Sequence, residues 1–573
     1  MPWIGPAVAA TASLAILLWS LPRGLDLTDE GYYLTEIAHP GDSTATALLF
    51  GWVWHPVYAV LGGSVVGLRL VSSGLVALLT ASLTLAVLRL APSRTRPGRF
   101  AVACVCAVAV ALAFLPMSTL PATPSYNTLT WLAMAAAALG CVWAWSGRRP
   151  MLGGALVGAA GAAAVMGKPT TALVLGAAVL FTTPWRRTGP RPVLAALAVL
   201  VTCLAALVMV TPGHLAGLVE VVQRGVEATV GHARLVRRDP FLRSAQVFLG
   251  LGAAALGGAA AGLLGRHRPV VGLVLGSVSV AVAVASLWRW RDVGMIASID
   301  LLLPTAALTL FGLLGAVAVV LVMRGGDGMP GPETVRIRLV VLLVLLPLAY
   351  AFGTNNNLWH WSGQCVVFWF LAVLLLVGTT GAAAAAAGGL AAYTALVSAV
   401  ITPLDPYRST SLTKTVDARV SHDGTMMRLP PQEAGLVTQM LDVGDRLGVT
   451  RSTKVLDLTG ASPGVVWAWG ARPLASGWVI GGYPESLHAA RTSIAPARCD
   501  LDRALVLWAP EQPRAIPDEV LEPFGVELPG DYRVVATFPG PRPAPTAGDP
   551  APHVPVVSVL EPVSVSPTAC AGP

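Results

Sequence analysis

Residues 4–20 read Ile-Gly-Pro-Ala-Val-Ala-Ala-Thr-Ala-Ser-Leu-Ala-Ile-Leu-Leu-Trp-Ser, and the chain then turns acidic and aromatic at Asp26-Leu27-Thr28-Asp29-Glu30-Gly31-Tyr32-Tyr33. The first stretch has the length and apolarity of a helix crossing a bilayer. It carries no small-residue cleavage site before the acidic turn, so it reads as a retained first span. The second sets carboxylates at the membrane edge of a chain in which only 12% of residues are charged. Acids held there default to a functional role. The plainer alternative is that Asp29 and Glu30 cap the next helix.

Working outward, apolar runs near span length recur to about residue 402 in the 573-residue chain, and mean hydropathy is +0.68. About 13 transmembrane helices are expected, near 4–21, 60–90, 100–117, 127–145, 151–166, 170–184, 192–212, 245–264, 269–287, 299–323, 339–352, 364–378 and 382–402. Charges and prolines then rise. The reading is a membrane domain over 1–402, a small α/β domain over 403–540 and a Pro-rich tail over 541–573.

The net charge of +8 does not call for nucleic acid. Arginines cluster in short connections, at Arg94/Arg96/Arg99, Arg148/Arg149, Arg186/Arg187/Arg191, Arg266/Arg268 and Arg324/Arg336/Arg338, as the positive-inside rule expects of cytoplasmic loops. The acidic turn, residues 116–126, Lys168, residues 213–243, 288–292 and 353–364 then face outward, as does the C-terminal domain. That places the chain in the plasma membrane with an extracytoplasmic domain. Outward Arg224, Arg234, Arg237, Arg238 and Arg243 break the topogenic preference and ask for an anion, either lipid headgroups or a substrate phosphate. The seven cysteines show no metal-type spacing; Cys499 and Cys570 could pair in an oxidising compartment. No metal or cofactor is called for, although nothing in the sequence excludes a divalent ion.

Four outward segments interrupt the apolar pattern: the acidic turn; Trp52-Val53-Trp54-His55-Pro56-Val57-Tyr58; Gly167-Lys168-Pro169-Thr170-Thr171; and Gly353-Thr354-Asn355-Asn356-Asn357-Leu358-Trp359-His360-Trp361. Interfacial Trp and Tyr are ordinary membrane anchors. Lys168 is less ordinary, because a cation between apolar spans is costly unless paired or wet. Together the segments describe a carboxylate base, cations for a leaving phosphate and aromatic walls for a sugar.

This pattern resembles the GT-C superfamily of integral-membrane glycosyltransferases. It is most similar to the branch of lipid A aminoarabinose transferases and protein O-mannosyltransferases. The resemblance rests on the acid pair after helix one, His55-Pro56-Val57-Tyr58, Pro124-Ser125-Tyr126-Asn127 and Lys168, and covers about residues 10–370. It implies an inverting transferase taking sugar from a polyprenyl-phosphate donor to an envelope glycan, lipid or protein. Asp29, with Glu30 beside it, would be catalytic. Lys168, His55, Arg237 and Arg238 would meet the donor phosphate, His55 standing where the family has lysine. Tyr32, Tyr33, Tyr126, Asn127, Asn355 and Asn356 would line the sugar or acceptor. A lipid-linked saccharide transporter and a non-catalytic assembly factor are the alternatives; a transporter should show inverted repeats, and no convincing repeat is visible.

In the C-terminal domain, residues 454–459, 504–508 and 532–537 read as buried strands, and 432–447, 484–493 and 517–524 as helices. Gly460-Ala461-Ser462-Pro463-Gly464 follows a strand as phosphate loops do, but lacks their lysine and spacing, so a tight turn competes. After 541 the chain should be extended, with the apolar patch 554–565 able to dock.

Overall fold

The computed structural model describes residues 3–90, 98–118, 120–233, 331–352, 358–379, 382–541 and 554–565, with isolated positions between 253 and 282. Helices dominate. In chain order they are α1 (Ile4–Ser20), α2 (Asp29–Ala38), α3 (Phe50–Val60), α4 (Val65–Leu90), α5 (Arg99–Ala113), α6 (Tyr126–Trp145), α7 (Pro150–Gly167), α8 (Pro169–Thr182), α9 (Trp185–Thr188), α10 (Pro190–Val210) and α11 (His214–Ala233). Beyond residue 330 come α12 (Gly331–Ala351), α13 (Leu358–Gly363), α14 (Val366–Val377) and α15 (Ala382–Leu404). Among the described residues seven helices are long and apolar enough to cross a membrane, and α1, α8 and α14 are shorter apolar helices. The chain is thus of multi-pass character. The spans expected at 245–264, 269–287 and 299–323 lie outside the described residues, apart from isolated positions.

One expected span is corrected. Residues 60–90 do not start a helix at 60, because Gly62 and Gly63 take left-handed backbone (φ 62° and 81°) and separate α3 from α4. Glycine has a second use here, close helix approach. A Cβ on Gly154 or Gly158 of α7 would lie 2.1 Å from the carbonyl oxygen of Pro192 or Ala196 in α10. Small residues let membrane helices touch backbone to backbone. Helix α6 is the most enclosed candidate span, 89% buried against 6% for α10, so its N-terminus is fixed inside the bundle.

The bundle has a basic end and an acidic end. Arg69, near the start of α4, meets the turn after α1, so α4 runs away from the acidic turn toward Arg89. Helix α6 likewise runs from Tyr126 toward Arg148 and Arg149, and Arg338 of α12 donates to the carbonyls of Thr182 and Thr183 at the foot of α8 (3.2 and 2.9 Å). One end of the bundle is basic; the other carries the acidic turn and the C-terminal domain.

That domain contains a hairpin, β1 (Val416–Arg419) with β2 (Met426–Leu429), and a five-stranded sheet of β3 (Lys454–Asp457), β4 (Arg472–Pro473), β5 (Leu505–Trp508), β6 (Tyr532–Pro539) and β7 (Val556–Pro562) in the order β4-β3-β5-β7-β6. Strand β3 is parallel to β4 and β5, and β7 is antiparallel to both β5 and β6. The domain boundary at 540 and the tail over 541–573 are therefore corrected: residues 556–562 form an inner strand, and Val557, Val559 and Leu560 are fully buried. The helix expected at 517–524 is instead two 3₁₀ turns, Asp518–Val520 and Glu522–Phe524, because Pro523 lacks the N–H that would continue it. Cys499 is an exposed free thiol, and Cys570 lies outside the described residues.

The two domains are docked closely. Gly464 N–H donates to Leu27 O (2.9 Å), Thr35 Oγ1 to Pro463 O (3.0 Å), and Arg428 N–H to Pro22 O (2.9 Å). The loop 460–464, a candidate phosphate loop in the sequence, thus forms a turn against α2 and leads into α17 (Pro463–Ala468), after α16 (Pro431–Arg446).

Candidate active site

The acidic turn divides its carboxylates between two tasks. Glu30 faces inward, with Arg69; both are 2% exposed. Arg69 Nη2 and Nε reach Glu30 Oε1 at 2.6 and 3.2 Å, the Thr123 hydroxyl donates to the same oxygen, and Asp26 N–H donates to Oε2 at 3.0 Å. The remaining guanidinium donors take the carbonyls of Leu21, Arg23 and Gly24. Every oxygen of Glu30 is occupied, so the structure gives it a tethering role and does not bring it into use beside Asp29.

Asp29 points the other way. Its Oδ2 accepts from the Tyr407 hydroxyl (2.7 Å) and pairs with Arg408 Nη1 (2.6 Å), while Oδ1 carries no bond among the described residues. Arg408 also donates to Thr28 Oγ1 at 2.5 Å and holds a left-handed backbone (φ 50°), uncommon for a non-glycine residue. Ser409 and Thr410 anchor this segment on Glu433. Asp26, buried beside Asp29, has its carboxyl pushed up by burial first and by Asp29 second. Burial pulls the Arg408 guanidinium down, but Asp29, Tyr407 and Asp26 outweigh it and raise it. Arg514 joins the same cluster from the C-terminal domain, lowered by burial and by Arg408 and lifted by Asp29.

An aromatic wall leads from Asp29 into the bundle. Burial pushes the Tyr33 phenol well up, and neighbouring Tyr126 and Asp29 push it further. The Tyr33 and Tyr126 rings meet edge to face at 5.8 Å, with Phe50 against both at 6.0 and 5.9 Å. Tyr32 turns to Trp478 of the C-terminal domain (5.8 Å). At the far side of Tyr126 sits Lys168, at the joint between α7 and α8 and 5% exposed. Its Nζ lies 4.4 Å from the Tyr350 ring, 5.2 Å from Trp361 and 5.4 Å from Tyr126, and has no hydrogen-bond partner among the described residues. Cys365 is a further neighbour, and the three donor positions of this buried amine are met by no acceptor among the described residues.

Of the other sequence candidates, His55 Nδ1 is engaged with Ile37 O at 2.8 Å, tying α3 to α2. Asn127 is buried and its side-chain amide has no partner among the described residues. Arg237, Arg238, Asn355 and Asn356 lie outside the described residues. Tyr407, Arg408, Arg514 and Tyr350 were not singled out from sequence. Only Tyr407-Arg408 left a signal, an aromatic and a cation just beyond the last span. Among the described residues no three His, Cys, Asp or Glu side chains gather as a metal would need. No protein-family model matches the chain, and no curated protein matches it in sequence.

Proposed function

We propose that the chain is a GT-C type glycosyltransferase with about 13 spans, inverting, and using a polyprenyl-phosphate-linked sugar at the outer face of the plasma membrane. The observation that carries this reading is the half-used carboxylate of Asp29: Oδ2 is fixed by Tyr407 and Arg408, and Oδ1 is left for an incoming proton. A base oriented by a second pair of groups is the arrangement general-base catalysis requires. In this reading Lys168, across the Tyr33–Tyr126 wall, meets the donor phosphate.

In the reaction an acceptor hydroxyl or amine gives its proton to Asp29 Oδ1 as its heteroatom attacks the anomeric carbon. The bond from that carbon to the phosphate oxygen breaks, and polyprenyl phosphate leaves with its new charge against the Lys168 ammonium. Tyr33 and Tyr126 offer ring faces to the sugar. The C-terminal domain, resting on α2 and contributing Tyr407, Arg408 and Arg514, completes the acceptor side.

The test is release of polyprenyl phosphate from a panel of polyprenyl-phosphate sugars by the full chain in nanodiscs. Donor turnover that Asp29→Asn lowers roughly 10²–10⁴-fold supports the reading. Wild-type inertness toward every donor, with nucleotide sugars consumed instead, overturns it. Sidedness has its own readout: the exposed Cys499 should react with an impermeant maleimide on intact cells, and labelling only after lysis would place the domain inside.

A further inference from the structure

The basic end of the bundle holds a feature that glycosyl transfer does not use. Between the last turns of α4 and α6 lies a cavity of about 310 Å³, lined by Arg89, Arg148, Arg149, Trp143 and Ser146. It is remote from Asp29: α4 alone, at 26 residues, separates the two ends by roughly 39 Å.

The positive-inside rule explains why arginines sit near these span ends, but not why two separate connections send theirs to one cavity. Arg89 closes the α4 hairpin, and Arg148 and Arg149 close the α6–α7 hairpin. None of the three makes an ion pair or side-chain hydrogen bond among the described residues, so three guanidiniums line a single space with no carboxylate among the described residues to balance them. Arg149 is also the residue before α7, an 18-residue helix that begins with Pro150. The N–H groups of Met151 and Leu152 therefore open toward the same end without an intrahelical acceptor. The apolar part of the cavity lining is Ala86, Leu90 and Val142.

We propose that this cavity is a binding site for the phosphate of an anionic glycerophospholipid. Forked guanidiniums suit the phosphodiester, the indole of Trp143 suits the glycerol depth of the membrane, and the lining Ala86, Leu90 and Val142 suit an acyl chain. Three cations favour a lipid with two phosphates over one with a single phosphate. The proposal is independent of the transfer reaction and holds whatever the opposite end catalyses.

Native mass spectrometry of the full chain released from detergent tests it, with cardiolipin, phosphatidylglycerol and phosphatidylcholine offered in turn. The wild type should retain cardiolipin best and phosphatidylcholine least. Each Arg→Gln change at 89, 148 or 149 should cost about five-fold in cardiolipin affinity, and the triple variant about a hundred-fold. Unfolding temperature keeps the test readable: a triple variant that melts with the wild type but has lost cardiolipin supports the site. Equal retention by the triple variant overturns it, as does equal retention of phosphatidylcholine. Millimolar inorganic phosphate should not raise the melting temperature. Protection by phosphate that the triple variant loses and cardiolipin fails to reproduce would overturn the lipid as the source of the anion.

Discussion

Glu30→Gln keeps the side chain's shape and removes its charge, so it isolates what the pair with Arg69 contributes. Both groups are 2% exposed. After the change Arg69 keeps three backbone carbonyls but loses the one carboxylate it pairs with among the described residues. The new amide also has no good orientation: Oε1 faces Arg69 and Thr123, Oε2 faces the Asp26 N–H, and all of these are donors. Breaking a buried pair by removing one partner costs about 3–5 kcal/mol. On the scale for large domains that is a fall in melting temperature of roughly 6–20 °C, toward the lower end for a chain of this size. Fluorescence-detected size exclusion after heating in detergent measures it. Arg69→Met should fall similarly, and the double variant should fall by less than the sum, because the pair is one unit. A Glu30→Gln protein that melts with the wild type, or strictly additive losses, would refute the tethering role.

Arg408→Gln should lower turnover more than it raises KM, since it frees Asp29 to reorient, and Arg408→Lys should recover part of the loss; equal effects on both parameters would make the arginine a binding group instead. Gly31→Ala should loosen the contact between α2 and the C-terminal domain, because its Cβ would lie 2.4 Å from the Gly464 backbone; unchanged protease resistance at the 403–415 linker would argue against that contact. Asp457, buried with Thr459 and Ser462 donating to it, has its carboxyl raised by burial to about 6, above its usual 3.8. The folded state therefore holds this proton over a range where the unfolded chain releases it, and stability should fall as pH rises from about 4 to 6, by roughly 3 kcal/mol at most. Glu36, raised by burial to about 7, extends the decline, and Asp457→Asn should flatten the lower part of the curve measured by thermal melts.

The membrane helices were legible because each apolar run near 20 residues can satisfy its backbone in lipid only as a helix. The boundary at Gly62-Gly63 was not, since two glycines inside an apolar run look like packing residues until their backbone is seen to be left-handed. Strand β7 escaped because prolines flank it on both sides and its partners are distant in sequence: Val559 pairs with Leu507 and with Ala536. The hairpin β1–β2 is four residues per strand and has no clean alternation of burial in β1. In the site, Asp29, Tyr33, Tyr126 and Lys168 were readable as polar or aromatic breaks in apolar sequence, and they prove to be neighbours. Glu30 and Asp29 look alike in sequence, and only the position of Arg69 separates them. Arg69 was itself a clue, a lone arginine inside a span, which needs a buried carboxylate to be tolerated. Arg408 and Arg514 come to Asp29 from 379 and 485 residues away along the chain, a juxtaposition that no local pattern records.

The central claim, that Lys168 receives the donor phosphate while Asp29 waits across the aromatic wall, is tested most directly by a cryo-EM map of the full chain with a polyprenyl-phosphate sugar bound. The account predicts phosphate density in hydrogen-bond contact with Lys168 Nζ and the sugar between Tyr126 and Asp29, with Oδ1 facing the space opposite the phosphate where the acceptor enters. Donor density with its phosphate lodged away from Lys168, among the outer arginines for instance, and Lys168 still closed among Tyr126, Tyr350 and Trp361, would contradict it.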